Sequence, residues 1–304
     1  MQTNPTAYLN AISHYYHLRI ADRPNLSLGY LLPSTALTLQ NIPGWKIDEG
    51  EANEGIPRTL TLTAGEDEAS RSAVVARTCQ AMRATGHFKV LDKWRDELYP
   101  VVSDTGEVLF SIERSASPLF GVVTHGVHMM CYTRKEDKLK IWIPRRAKSK
   151  QTYGGMLDNT VAGGTATGEV FFESLVREAA EEASLPEDLV RKKAKSVGTV
   201  SYFYVRDERA GGETGLLQPE AQWVYDMELP EDVKPEPSDD EVEQFYLWSV
   251  EEVQDALKRG EFKPNCAMVM LDFFVRHGIL TAENEPKYSE IVSRLHRRLE
   301  FPSR

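Results

Sequence analysis

Three glutamates, Glu178, Glu181 and Glu182, stand at i, i+3 and i+4, the spacing at which a helix projects side chains from one face. Carboxylates gathered this closely raise one another's pKa unless a cation neutralises them, so the pattern suits a hard divalent ion such as Mg²⁺ held by oxygen ligands. The alternative is a solvated acidic face, with Arg177 supporting Glu181 as an i,i+4 pair worth about 0.3–0.5 kcal/mol. Upstream, Gly163, Gly164 and Gly168 make a flexible loop that ends at Glu169, while Leu175, Ala179 and Ala183 form a separate apolar stripe.

Elements able to position these residues can be read around them. A helix is predicted over 171–183, preceded by strands near 127–133 and 139–143, a basic loop at 145–150 and a Gly-rich loop at 154–168. Strands rich in Val, Tyr, Phe and Trp follow at 196–205 and 222–229, joined by a loop at 207–219. An acidic, Pro-bearing connector at 230–240 leads to a strand at 242–248 and helices at 250–259, 265–277 and 288–299, with Asn265 as an N-cap. Earlier in the chain we expect helix over 4–20, extended segments at 29–39 and 59–63, and helix over 66–84 stopped at Gly86. A turn-rich segment at 115–121 sets the boundary: an N-terminal α+β accessory domain over 1–115 and an α/β domain with C-terminal helices over 116–304.

Composition removes other classes. With 304 residues, 41% hydrophobic and 27% charged, the chain is long enough for a large core and is neither disordered nor fibrous. Its net charge of −10 repels a phosphate backbone, so nucleic acid is not an expected partner. No apolar run nears the roughly 20 residues of a membrane helix, and the first residues lack the layout of an export signal. Three scattered cysteines, Cys79, Cys131 and Cys266, read as buried thiols in a reducing compartment, and the cytoplasm is expected. His125 and His128 have no partners at zinc-site spacing and are expected to be structural.

The full spacing is a Gly, five residues, Glu, seven residues, Arg-Glu, one aliphatic, one residue, Glu-Glu, one residue, Gly and an aliphatic. It is met by Gly163, Glu169, Arg177, Glu178, Glu181 and Glu182, and it resembles the box of the Nudix hydrolases. Two positions depart: Ser184 replaces a Gly that serves a turn with positive φ, at up to about 1 kcal/mol, and Ala179 replaces a larger aliphatic. The resemblance implies an α/β/α sandwich with a mixed sheet, and Mg²⁺ or Mn²⁺ ions bridging a diphosphate that water attacks at phosphorus. By motif position, Glu178, Glu181 and Glu182, with Gly163, hold the metal; Glu169 assists from outside; Arg177 holds the glutamates in place. A further acid from a later loop is expected, with Glu241 and Glu243 as candidates and Glu243 the chosen one, although this connector also reads as a solvated acidic stretch.

Outside the box, the run from Arg145 to Gly164, the segment 262–266 and the segment 272–278 resemble one branch of that family, the thiamine pyrophosphokinase-related Nudix hydrolases of fungi and plants. That resemblance implies hydrolysis of thiamine diphosphate and, by preference, of the damaged oxothiamine and oxythiamine diphosphates, giving the monophosphate and phosphate. Arg145, Arg146, Lys148 and Lys150 either contact the diphosphate or form a solvated basic loop. Tyr153 and Tyr202, with Tyr204 and Trp223, either stack on the substrate's rings or pack in the core. Three other readings compete. One is a Nudix enzyme for ADP-ribose, a dinucleotide or a nucleoside diphosphate sugar. Another is isopentenyl diphosphate isomerase, disfavoured because 159–163 holds no cysteine. The last is a non-catalytic binding protein. We further expect the N-terminal domain to shape the substrate end of the site, because clefts favour domain interfaces.

Overall fold

The computed structural model describes residues 12–51, 54–136, 138–238 and 240–303. The N-terminal part holds β1 (Tyr16–Ile20), β2 (Gly29–Leu31), β3 (Trp45–Asp48) and β4 (Thr59–Leu62) in the order β2-β1-β4-β3. Helix α1 (Glu68–Ala84) and a hairpin of β5 (Leu98–Val102) and β6 (Val108–Glu113) complete it. Asp67 and Ser70 cap α1 reciprocally, which fixes its start, and Gly86 follows its end at φ +63. Val75, Cys79 and Met82 of α1 pack with Leu18, Leu60 and Phe110 into one core.

The helix expected over 4–20 is corrected where it can be seen. Tyr16–Ile20 is a strand in which Tyr16, Leu18 and Ile20 alternate inward, while residues 4–11 lie outside the described residues. Tyr8, Leu9 and Ile12 suggested a helical period, but the alternation at 16, 18 and 20 belongs to the sheet. The extended segment expected at 29–39 is strand only to Leu31; Pro33 then opens the short helix Pro33–Ala36.

The second part contains β7 (Thr124–Lys135), β8 (Lys138–Arg146), β9 (Val161–Gly164), α2 (Phe171–Ala183), β10 (Lys195–Val205), β11 (Leu217–Glu228), β12 (Val242–Ser249), α3 (Val250–Lys258), α4 (Pro264–Arg276) and α5 (Tyr288–Leu295). The sheet runs β10-β11-β7-β8-β12, with β9 also paired to β7. It is mixed: β11 lies parallel to β7, and the other pairs are antiparallel. Side chains of β7 alternate between two cores. Val127, Met129 and Cys131 pack with Leu175, Val176 and Ala179 of α2, while Met130 packs with Val253 of α3 and Val269 and Phe273 of α4. The result is an α/β/α sandwich.

Along one edge β7 pairs with β9 over 126–129 and with β8 over 132–135, so these two strands fork apart. The fork holds the start of the Gly-rich loop, and α2 packs across it. The turn Ser117–Phe120 between the two parts is buried rather than solvated, and Tyr30, Val123, Leu217, Ala221 and Phe301, drawn from both parts, form a further buried cluster. All three cysteines are free and buried. Among the described residues no helix is long and apolar enough to cross a membrane.

Helix α2 ends as its odd residue requires. Ser184 sits at φ +52, the left-handed region that costs an L-residue about 1–2 kcal/mol. Ser184→Gly is therefore expected to stabilise the fold by about 1 kcal/mol, visible as a raised Tm. An unchanged or lower Tm would contradict this account of the turn.

Candidate active site

Helix α2 presents its apolar stripe to the sheet, so Glu178 and Glu182 turn toward the fork and are half-buried, whereas Glu181 lies at the rim and is exposed. They face a cavity of about 450 Å³ that Glu169, Arg177, Ala162, Gly163, Gly164 and Lys150 also line. Arg177 ties three acids together: Nε lies 3.2 Å from Glu169, and Nη1 lies 3.1 Å from Glu178 and 2.9 Å from Glu181. Glu169 further accepts from the Ala166 amide at 3.0 Å and the Ser174 hydroxyl at 2.8 Å. Burial opposes its ionisation, but these donors and Arg177 hold its carboxyl below the usual range.

Glu182 has a different environment. Its carboxylate accepts from the Ala162 amide at 3.1 Å, and burial, then the nearby Glu178 charge, push its pKa up to about 8. Burial also raises Glu178. Glycine at 163 lets the Glu178 carboxyl lie against the backbone, where a Cβ would overlap it, and a Cβ at Gly164 would overlap the Tyr99 hydroxyl. Among the described residues no three His, Cys, Asp or Glu side chains are already closed around one point. The donor set nevertheless fits a hard cation: all its donors are oxygen, and burial raises two of its carboxylates, Glu178 and Glu182.

A second chamber of about 230 Å³ adjoins the first. The two share Arg95, Arg114, Thr152, Ala162, Gly163, Gly164 and Lys263 as lining. Tyr99, Tyr153, Tyr202 and Tyr204 supply aromatic walls, and Glu220, Gln218 and Gln222 of β11 supply polar ones. The N-terminal part contributes Val90, Lys93, Arg95, Tyr99 and Arg114, so both parts of the chain build this end.

The structure sorts the basic loop. Arg146 is buried with Nη1 2.6 Å from Asp158 and lines the acidic cavity, as does Lys150, which pairs with Glu241. Arg145 is corrected: it donates to the Gly155 carbonyl at 2.8 Å and the Tyr246 hydroxyl at 3.2 Å, bracing the loop away from both chambers. Lys148 is corrected likewise, being exposed and outside both linings. Glu243 is corrected too. The register slips between Val242 and Gln244 opposite Arg146 and Arg145, a bulge that leaves Glu243 exposed, while Glu241 lines the cavity. Tyr153 and Tyr202 lie in the second chamber; Trp223 instead stacks on Phe171 with ring centres 3.6 Å apart.

Behind the basic loop lies a buried network. Asp158 accepts from Arg146, from the Cys266 thiol at 2.6 Å and from the Asn159 amide at 2.8 Å. Burial would raise Asp158, but Lys263 and Arg146 hold it well below the usual carboxylate range. His128 bonds Asn159 at 2.7 Å and is lowered to about 4 by burial, so it is neutral at pH 7, and it lines the second chamber. Asn265 is not the N-cap, because α4 starts at Pro264 with Lys263 in that place. Residue-by-residue reading missed Lys263, Arg95, Arg114, Tyr99, Glu220 and Gln222. Only Lys263 lay in a segment already singled out, 262–266.

Comparison with known proteins decides the family. A model described as NUDIX domain matches residues 124–266, and one described as Domain of unknown function (DUF4743) matches residues 55–124. "Uncharacterized protein YJR142W" of Saccharomyces cerevisiae is 40% identical over 245 residues, covering 78% of this chain and 71% of that protein. Residues 124–266 belong to the Nudix family. "Nudix hydrolase 20, chloroplastic" and "Nudix hydrolase 24, chloroplastic" of Arabidopsis thaliana are 37% and 34% identical over 79% and 78% of this chain. The chain spans 61% and 62% of the length of those two plant relatives. The Nudix assignment makes the chain a hydrolase acting on pyrophosphate bonds, and the acidic cavity on α2 is where its motif residues meet.

Proposed function

We propose that this Nudix hydrolase cleaves thiamine diphosphate, and preferentially its oxothiamine and oxythiamine forms, to the monophosphate and phosphate. The observation that carries the reading is the paired cavity: an acidic, cation-flanked chamber for a diphosphate opens beside a tyrosine-lined chamber sized for an organic ring. Glu178, Glu181 and Glu182, with Gly163, are the groups to hold Mg²⁺ or Mn²⁺. When bound, such an ion neutralises phosphoryl charge and lowers the pKa of water. Arg177 and Glu169 keep the glutamates aimed, and one of the three is suited to orient or take a proton from the attacking water. Arg146, Lys150, Arg95, Arg114 and Lys263 supply positive charge where the diphosphate must lie. Tyr153 and Tyr202 flank the ring. A cytoplasmic setting suits the three buried thiols, and no nucleic acid or membrane is needed as a partner.

Two experiments test this. Phosphorus NMR of the products should show thiamine monophosphate and orthophosphate; release of pyrophosphate would overturn the reading. Lys263→Met should lower kcat/KM by about 10- to 100-fold, the worth of one charge-assisted contact, with the larger change in KM. Unchanged kinetics would remove Lys263 from the diphosphate site.

A further inference from the structure

We propose that Gln222 determines specificity by reading a hydrogen-bond donor on the edge of the substrate's ring, an inference that rests on the two-chamber reading above. Gln218, Glu220 and Gln222 alternate along β11, and all three line the tyrosine chamber. Glu220 collects the donors around it: Gln218 Nε2 at 2.6 Å, Gln222 Nε2 at 2.8 Å and the Tyr202 hydroxyl. Gln222 Nε2 also donates to Tyr202 Oη at 3.1 Å, and Gln218 Oε1 accepts from Arg206 at 3.2 Å.

This cluster fixes which way the Gln222 amide points. Reversing it would set a carbonyl oxygen against the Glu220 carboxylate and leave the amide nitrogen without that acceptor. The atom left over is therefore Gln222 Oε1, an acceptor without a hydrogen-bond partner among the described residues, on a side chain only 5% exposed. An unpartnered buried acceptor is costly, and a ligand that supplies a donor removes the cost. Gly126 is paired with Gln222 across β7 and β11, and a Cβ there would overlap both Oε1 and the Gly163 carbonyl, so only glycine fits beside the oxygen. Ser115 Oγ, also buried and without a partner among the described residues, lines the same chamber and can give or accept a second bond.

The chemistry selected is a flat heteroaromatic ring that carries an N–H at its edge, held among Tyr153, Tyr202 and Tyr204. An aminopyrimidine offers its exocyclic amino group, and the corresponding oxopyrimidine offers a ring N–H at the adjacent position. Gln222 thus accepts both the intact and the oxo ring, and it rejects a ring from which the donor has been deleted.

The test is the ratio of kcat/KM for thiamine diphosphate to that for its 4′-desamino analogue, measured with Mg²⁺ on the full chain. Wild type is expected to favour the donor-bearing substrate by about 10- to 100-fold, the range for a lost bond to a buried polar group. Gln222→Met should bring the ratio to within about threefold, whereas a merely structural role lowers both rates together and leaves the ratio intact. Gln222→Leu, a second apolar replacement, should collapse the ratio in the same way and serves if Gln222→Met fails to fold. A wild type that does not discriminate, or a Met variant that keeps the wild-type ratio, overturns the proposal. If thiamine forms are not hydrolysed but ADP-ribose is, the thiamine reading fails alone. The same ratio, taken for ADP-ribose against its 6-desamino purine analogue, then decides the role of Gln222. Hydrolysis of none of these overturns both.

Discussion

Glu182→Gln is expected to abolish most diphosphate hydrolysis while making the metal-free protein more stable at alkaline pH. The loss follows from removing a ligand. Mutating the outer partners of metal ligands costs about 10- to 100-fold, so deleting a ligand's charge should cost at least about 100-fold in kcat/KM. The gain follows from burial. Glu182 ionises near 4.5 when the chain is unfolded, and burial beside Glu178 moves it to about 8 in the fold. Between those values the unfolded chain releases a proton that the folded chain keeps, so metal-free stability is greatest below about 4.5 and declines as pH rises toward 8. The Gln variant lacks that decline. Thermal melts in chelator from pH 5 to 8.5 check it, and Mg²⁺ should raise the wild-type Tm most at the upper end, where the carboxylate it needs is otherwise disfavoured. A Gln variant with full activity, or with an unaltered pH slope, would remove Glu182 from the metal site.

The second large effect concerns stability. Asp158→Ala is expected to cost about 3–5 kcal/mol near neutral pH, because it leaves Arg146 buried opposite an empty space and strands the Cys266 thiol and the Asn159 amide. The wild-type advantage should shrink in acid. Asp158 is held ionised by Lys263 and Arg146 against its burial, so its contribution is present above the unfolded value near 4 and is lost as pH falls below it. Urea denaturation at pH 7 and pH 3 measures this. A cost under about 1 kcal/mol at pH 7 would show that the loop between β8 and β9 is anchored elsewhere.

The helix that carries the glutamates was legible because its signals are local. The i, i+3, i+4 acids, the apolar stripe at 175, 179 and 183 and the glycine-to-glutamate spacing all lie within a few turns, and Phe171–Ala183 is helical as predicted. Ser184 even adopts the positive φ expected of the glycine it replaces. The rest of the cavity was not local. Arg95, Arg114 and Tyr99 reach the site only because the β5–β6 hairpin docks beside the Gly-rich loop, where Thr167 donates from its backbone to Leu98 at 2.7 Å and from its hydroxyl to Ser111 at 2.9 Å. Arg145 and Lys148 were read with Arg146 and Lys150 as one basic patch, although a strand end and the loop after it send neighbours in different directions. Glu243 was preferred over Glu241 because the slip between Val242 and Gln244 has no signature in the acidic run itself. The opening strand was misread for a related reason, since aromatic residues near 15 and 16 satisfy a helical and an alternating period over so short a stretch.

The most direct test of the paired-chamber account is kcat/KM in Mg²⁺ across thiamine, oxothiamine and oxythiamine diphosphates beside ADP-ribose, dinucleotides and nucleoside diphosphate sugars. The account expects the thiamine group to lead, with the damaged forms ahead of thiamine diphosphate and activity lost in chelator. A lead for ADP-ribose or another nucleotide would contradict it, leaving the acidic helix as a general diphosphate site and the tyrosine chamber as a pocket for a different ring.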